Sequence, residues 1–199
     1  MNSDSVTAIL LVGVGGQGTI LASQILSEGF VRAGYDVKMS EIHGMSQRGG
    51  SVSTQIRYGT KVYSPIIGRG EADVIVAFEK MEALRWIEYL KPDGKMIIND
   101  YEIPSVPILT GAEQYPEGIL GDLAARADVS VLRAADIADE VGNARVMNIV
   151  LLGAAVKALT AAQPETMAGI VWEEIIRATV KPAFIDVNIK AFAAGQAAG

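Results

Sequence analysis

Residues 7–18, with the sequence TAILLVGVGGQG, decide the fold. A run of β-branched and aliphatic residues leads into glycines with the spacing G-x-G-x-x-G. Apolar residues then recur at intervals of three and four as far as Gly34. This order predicts a strand, a tight glycine turn and a helix that ends near Gly34. Residues 37–41 predict a second strand, and such a strand–helix–strand unit favours a right-handed crossover in a parallel sheet.

The rest of the chain continues the alternation of strands and helices. Further strands are expected over residues 51–58 and 61–64, joined as an antiparallel hairpin, and over 72–78, 95–99 and 129–132. Helices are expected over residues 79–90, 135–141, 146–161, 165–179 and 182–194, with a fraying tail from 193. Residues 101–121 carry three prolines and predict a connection. The predicted class is α/β, a three-layer Rossmann-like, mostly parallel sheet with an antiparallel hairpin and a helical C-terminal region.

Length and composition limit the function classes. The 199 residues fit a single domain over 1–199, with an α/β core over about 6–133 and a helical part over about 135–194. The absence of cysteine excludes disulfides, thiolate nucleophiles and cysteine-held metal centres in this chain. The single histidine restricts any Ser/His/Asp triad to His43. No metal site and no catalytic residue are predicted.

Charge and hydropathy bear on partners and location. The net charge of −6 argues against nucleic-acid binding, which needs clustered basic residues. The first basic residue is Arg32, so no secretory signal is expected, and a cytoplasmic location is predicted. The apolar stretch 146–162 is interpreted as a buried helix rather than a membrane span. Residues 32–69 carry six basic and two acidic residues, which favours this stretch for an anionic ligand.

The glycine turn is the first candidate site. Its free N–H groups at a helix start attract anions, and Glu41, 23 residues after Gly18, stands where a ribose-binding acid is expected. A tight turn that needs small residues produces the same glycines, so both interpretations stay open. The candidate cofactor-binding residues are Gly13, Gly15, Gly16, Gln17 and Gly18.

The loop at residues 42–50, IHGMSQRGG, is the second candidate site. It follows a predicted strand at the edge where open α/β sheets bind ligands, and Arg48 can hold a carboxylate or phosphate through two hydrogen bonds. The alternatives are a structural histidine and a surface ion pair. Arg69 and Glu79 are weaker candidates, and Asn148 is interpreted as a core amide. The candidate substrate or interface residues are His43, Met45, Gln47, Arg48, Gly49 and Gly50.

Four stretches of the chain resemble the gamma-type subunits of 2-oxoacid:acceptor oxidoreductases, in particular their indolepyruvate:ferredoxin branch. The loop is the most specific of the four, and together they cover nearly the whole chain. They are GVGGQG at 13–18, SEIHGMSQRGGSV at 40–52, ADV at 72–74 and NIVLLGA at 148–154.

The resemblance implies oxidative decarboxylation of arylpyruvates such as indolepyruvate to aryl-acetyl-coenzyme A, with ferredoxin as electron acceptor. Thiamine diphosphate, Mg²⁺ and 4Fe–4S clusters are then expected in a larger alpha subunit, since this chain has neither cysteines nor a GDG-type thiamine motif. The implied assembly is a hetero-oligomer of the two kinds of subunit, either one pair or two pairs. Ferredoxin is expected to bind to this complex, and no nucleic acid or membrane is involved. Two alternatives remain: a stand-alone NAD(P)-binding Rossmann oxidoreductase, and a non-enzymatic nucleotide-binding or assembly subunit.

Overall fold

A computed structural model describes residues 6–43 and 50–199, and at His43 the backbone alone. Within these residues, six strands form one sheet in the order β2-β3-β1-β4-β5-β6. The strands are β1 Thr7–Val14, β2 Asp36–His43, β3 Ser51–Gly59, β4 Ala72–Ala77, β5 Leu90–Asn99 and β6 Asp128–Leu132. The helices are α1 Thr19–Arg32, α2 Lys80–Trp86, α3 Val106–Leu109, α4 Ile119–Arg126, α5 Ala134–Val141, α6 Met147–Ala162, α7 Pro164–Met167, α8 Trp172–Thr179 and α9 Ile185–Ala198.

The sheet lies between two hydrophobic cores. Ile9 and Leu11 of β1 belong to the core beneath α1, α6 and α9, whereas Leu10 and Val12 belong to the core beneath α2 and α4. Every residue of β1 is buried, which explains why the sequence of this strand is a continuous apolar run rather than an alternating one. The three-layer α/β architecture expected from the sequence is confirmed.

The pairing of the strands differs from the sequence prediction at one edge. β1 pairs in parallel with β4, but β3 lies between β1 and β2 and is antiparallel to both. Residues 61–64 form no strand. The backbone N–H of Val62 instead donates to Asp36 Oδ2 at 2.9 Å, which folds this segment against the start of β2. The expected antiparallel pairing therefore exists, but β3 makes it with β2 and β1.

Three local expectations were wrong. The helix expected over 165–179 is two helices, because Gly169 adopts φ +87° between α7 and α8. The expected connection contains the start of α4, whose N-terminal cap is Gly118. The tail from residue 193 does not fray but continues α9 to Ala198.

Helix α6 is the centre of the C-terminal part. Among the described residues, one helical segment, Ala144–Ala162, is long and apolar enough to cross a membrane, and most of it is buried inside the protein. Most of α6 belongs to the core beneath α1 and α9, which explains its apolar sequence.

Helices α6 and α9 cross at two glycines. A Cβ on Gly195 would lie 1.9 Å from the Val150 carbonyl oxygen, and one on Gly153 would lie 2.2 Å from that of Phe192. No side chain fits between the two backbones at this crossing. The close approach explains why the end of α9 stays packed.

We expect Gly195→Ala to lower the free energy of unfolding by about 1–3 kcal/mol or more, because the added methyl forces the helices apart. Gly121→Ala is the matched control. It lies on α4, where no atom comes within 4 Å of the position that the added methyl would take, so it should raise stability by about 0.4–1 kcal/mol. Urea denaturation followed by circular dichroism measures both. Equal stability of the two variants would contradict the close crossing.

Candidate functional site

The candidate site lies where the parallel strands β1, β4 and β5 end. The glycine turn follows β1, Phe78 and Glu79 follow β4, and Asn99 ends β5. In open α/β sheets this edge is where ligands bind.

Two of the glycines are explained by packing inside the chain. A Cβ on Gly13 would lie 2.9 Å from the Cβ of Phe78. Gly18 adopts φ +78°, and a Cβ there would lie 2.6 Å from Asn148 Nδ2, which donates to the Gly18 carbonyl oxygen at 3.1 Å. By contrast, a Cβ on Gly16 would meet no atom within 4 Å. The open side of the turn is therefore at Gly16.

The side chain of Gln17 folds back into the turn. Its Oε1 accepts from the Val14 N–H at 2.8 Å, and its Nε2 donates to the Phe78 carbonyl oxygen at 2.8 Å. The Gln17 amide therefore links the backbone at the end of β1 to the backbone just after β4. The doubled glycine and the amide together make a braced turn.

The structure brings the ends of the two candidate segments together. The Gly15 N–H donates to the Gly50 carbonyl oxygen at 2.9 Å, and Ser51 is the register partner of Val14. The turn and the C-terminal end of the loop are therefore in direct contact. The side chain of His43 and the predicted residues Met45, Gln47, Arg48 and Gly49 lie outside the described residues.

Glu41 does not stand beside the glycine turn. β3 separates β2 from β1, so Glu41 is two strand spacings from β1, or about 10 Å. The Ser23 hydroxyl of α1 donates to Glu41 Oε1 at 3.4 Å. A dinucleotide site needs the acidic residue on the strand next to the glycine turn, and this topology does not supply that arrangement.

A buried acidic pair next to the site was largely missed by sequence reasoning, which marked only Glu79. Glu79 is fully buried; its carboxylate accepts from the Glu82 N–H at 2.8 Å, the Ile103 N–H at 3.3 Å and the Tyr115 hydroxyl. Burial, reinforced by the Glu79 carboxylate, raises the pKa of Tyr115. The sequence did carry a signal for this pair, because a glutamate three positions after a helix N-cap residue is typical of a capping arrangement at a helix start.

Glu82 anchors the chain where it leaves the candidate loop. The Ser51 hydroxyl donates to the Glu82 carboxylate, and Arg85 Nε lies 3.3 Å from the other carboxylate oxygen. Burial raises the pKa of Glu82 above its ordinary value, while the Ser51 hydrogen bond and Arg85 oppose the shift. Since Ser51 directly follows Gly50, this contact fixes one end of the loop beside the glycine turn.

Three of the described basic residues of 32–69 form ion pairs with acidic residues outside this edge. Arg32 pairs with Glu28, Lys38 with Asp36 and Arg69 with Glu88. Over the described part of the chain, no group of three or more His, Asp or Glu side chains could hold a metal ion.

The family model for pyruvate ferredoxin/flavodoxin oxidoreductases matches residues 8–198, so the match includes the glycine turn, the loop and the C-terminal helices. The chain belongs to this family. The resemblance seen in the sequence is thereby confirmed.

Relatives within the oxidoreductase family are similar over nearly their whole length. The chain is 40% identical over 191 residues to the indolepyruvate oxidoreductase subunit IorB of Pyrococcus horikoshii, covering 94% of this chain and 93% of the relative. It is also 40% identical over 190 residues to the IorB subunit of Methanothermobacter thermautotrophicus, covering 94% of each.

Solved structures share the fold. The pyruvate oxidoreductase subunit PORC of Thermotoga maritima matches with a TM-score of 0.71 at 24% identity, over 98% of this chain and 97% of that one. The keto/oxoacid ferredoxin oxidoreductase gamma subunit of Geobacter sulfurreducens matches with a TM-score of 0.67 at 24% identity, over 95% of each.

We expect Gln17→Leu to lower the free energy of unfolding by about 1–3 kcal/mol, because it leaves the Val14 N–H without its acceptor. Gln24→Leu, on the exposed side of α1, is the control and should change stability by less than about 0.5 kcal/mol. Thermal and urea unfolding give both values. If the two variants lose equal stability, the bracing role of Gln17 is wrong.

We expect the free energy of unfolding of Glu82→Gln, relative to that of the wild-type protein, to increase as the pH rises. A raised folded-state pKa means that the wild-type protein loses stability as the pH increases from the ordinary value of 4.5 through the folded pKa. Glutamine keeps an acceptor for Ser51 and has no charge to bury. Urea midpoints between pH 4 and 8 test this, with the exposed Glu113→Gln as control; a stability difference that does not change with pH would contradict it.

Proposed function

We propose that the chain is the small subunit of an indolepyruvate:ferredoxin oxidoreductase, an enzyme that converts arylpyruvates and coenzyme A to aryl-acetyl-coenzyme A and CO₂ and passes the electrons to ferredoxin. The observation that carries the proposal is the 40% identity to IorB subunits over 94% of this chain. The described ends of the loop that carries the sequence resemblance, His43 at the end of β2 and Gly50 before β3, lie at the edge where open α/β sheets bind ligands.

The cofactors of this enzyme belong to a larger alpha subunit. The chain has no cysteine to hold 4Fe–4S clusters, and its described residues offer no cluster of metal ligands for Mg²⁺. Thiamine diphosphate and the clusters supply the decarboxylation and the electron transfer when they are bound in that partner. The small subunit is therefore inactive alone and functions in a cytoplasmic hetero-oligomer, with ferredoxin docking through the complex.

In this proposal, the residues of this chain bind and orient the substrates. Gly16, on the open side of the glycine turn, and Gly50, the last residue of the candidate loop, belong to one surface, since the Gly15 N–H donates to the Gly50 carbonyl oxygen. This surface faces the cofactor-bearing cleft of the alpha subunit. Arg48 provides the positive charge for the carboxylate of the arylpyruvate or for the phosphates of coenzyme A.

The stand-alone NAD(P) enzyme is not favoured by any observation. Glu41 is separated from the glycine turn by β3, and Gln17 occupies the turn with hydrogen bonds to the protein itself.

Anaerobic purification of this chain from its native cells tests the assembly. A larger, brown partner with arylpyruvate- and coenzyme A-dependent dye reduction is expected. A colourless, partner-free chain that binds NAD⁺ in calorimetry would overturn the proposal.

In the assembled enzyme, we expect Arg48→Ala to raise the apparent KM for arylpyruvate or coenzyme A about tenfold or more, because a charge-assisted hydrogen bond to an anion is lost. Arg69→Ala is the matched control, since Arg69 is exposed and paired with Glu88. Steady-state kinetics of the two variant complexes measure the difference. Unchanged KM values for both substrates would restrict Arg48 to a structural role.

A further inference from the structure

A pocket lies behind the glycine turn, on the α6 and α9 side of the sheet. It has a volume of about 350 Å³, within the range of small-molecule sites. Leu21 of α1, the start of α6 and the segment between α8 and α9 line this open pocket. Asn148, whose amide holds the Gly18 carbonyl oxygen, connects the pocket wall to the turn.

The pocket is positively charged in an acidic protein. Arg145 and Lys181 line it, and neither forms an ion pair with a described residue. No acidic side chain of the described chain is part of the lining. In a chain with a net charge of −6, two uncompensated cations around one cavity favour an anionic occupant.

The polar groups of the wall include two buried amides. Asn148 and Asn188 are each 5% exposed, and each donates one N–H to a backbone carbonyl oxygen, of Gly18 and Phe184 respectively. An amide nitrogen carries two N–H groups, so each has a second one that forms no hydrogen bond with the described residues. These donors suit the oxygen atoms of a carboxylate or phosphate.

The remaining wall is mostly apolar, and its two polar members, Asn143 and Thr179, hydrogen-bond to the backbone at Arg145 and Ile175. Leu21, Val146, Val180 and Phe184 line it, and Phe184 is 45% exposed at its rim. An inorganic ion alone would leave these side chains uncovered. The wall therefore matches a ligand with an apolar body next to its charge.

We propose that this pocket binds a small organic anion, in which a carboxylate or phosphate group is attached to an apolar body. Arg145 and Lys181 neutralise the charge, the second N–H groups of Asn148 and Asn188 donate to its oxygens, and the body packs on Val180 and Phe184. Neither Gly16 nor Gly50 is part of its lining.

The test is calorimetric titration of the full chain with phenylacetate, phenyl phosphate and inorganic phosphate. Saturable one-to-one binding of at least one aryl anion, tighter than inorganic phosphate, is expected, and the comparison of the two aryl anions shows which charged group is preferred. Arg145→Ala and Lys181→Ala should each weaken binding about tenfold or more. Arg177→Ala and Lys190→Ala remove exposed cations outside the pocket and should leave binding unchanged.

Val180→Phe tests the contribution of the cavity independently of the two cations. This variant keeps both cations but fills the apolar wall, so it should abolish binding of the aryl anions while the circular dichroism spectrum stays that of wild type. If Val180→Phe does not fold, the four charge variants decide the question.

Three results would overturn the proposal. They are the absence of saturable binding, inorganic phosphate binding as tightly as the aryl anions, and equal weakening by the control variants. If no aryl anion binds and Arg145→Glu with Lys181→Glu prevents assembly with the larger subunit, the two cations belong to a protein interface instead. Because binding is measured on the chain alone, its outcome is independent of the activity of the assembled enzyme.

Discussion

The carbonyl oxygen of Phe78 is the point on which the functional edge of the sheet depends. Gln17 Nε2 donates to it at 2.8 Å from the turn after β1, and Asn99 Nδ2 donates to it at 3.2 Å from the end of β5. Asn99 is fully buried, and its Oδ1 accepts from the Ala134 N–H at 3.0 Å. One buried acceptor thus joins the ends of three strands and the start of α5, where an unpaired polar group would be costly.

The bracing of this edge divides the glycine turn into a packed side and an open side. Gly13 and Gly18 face Phe78 and Asn148, whereas Gly16 faces open space, and its neighbour Gly15 donates to the Gly50 carbonyl oxygen. The rigid side fixes the position of the open side. This arrangement supports the proposed role of the turn as a binding surface, since precise positioning of such a surface needs supporting contacts behind it.

The distribution of charge could not be read from composition. The basic residues of 32–69 that the structure describes are largely compensated by nearby acids, as Lys38 is by Asp36. Arg145 and Lys181 are far apart in sequence, and the sequence showed no cluster there. The packing of α9 against both α6 and α8 brings them to one pocket. Local charge counts miss such sites because ion pairing and pocket lining are both tertiary properties.

The sequence by itself determined the α/β class, the glycine turn between β1 and α1, and the family, because hydrophobic periodicity and glycine spacing are local signals. It also predicted a loop over 42–50, of which the structure describes His43 as the end of β2 and Gly50 as the residue before β3. Only the tertiary structure decided that β3 inserts between β1 and β2, which moves Glu41 away from the turn, and that Gln17 and Asn99 share the Phe78 carbonyl. Strand order and the partners of buried amides depend on contacts between residues distant in the chain, and no local pattern encodes them.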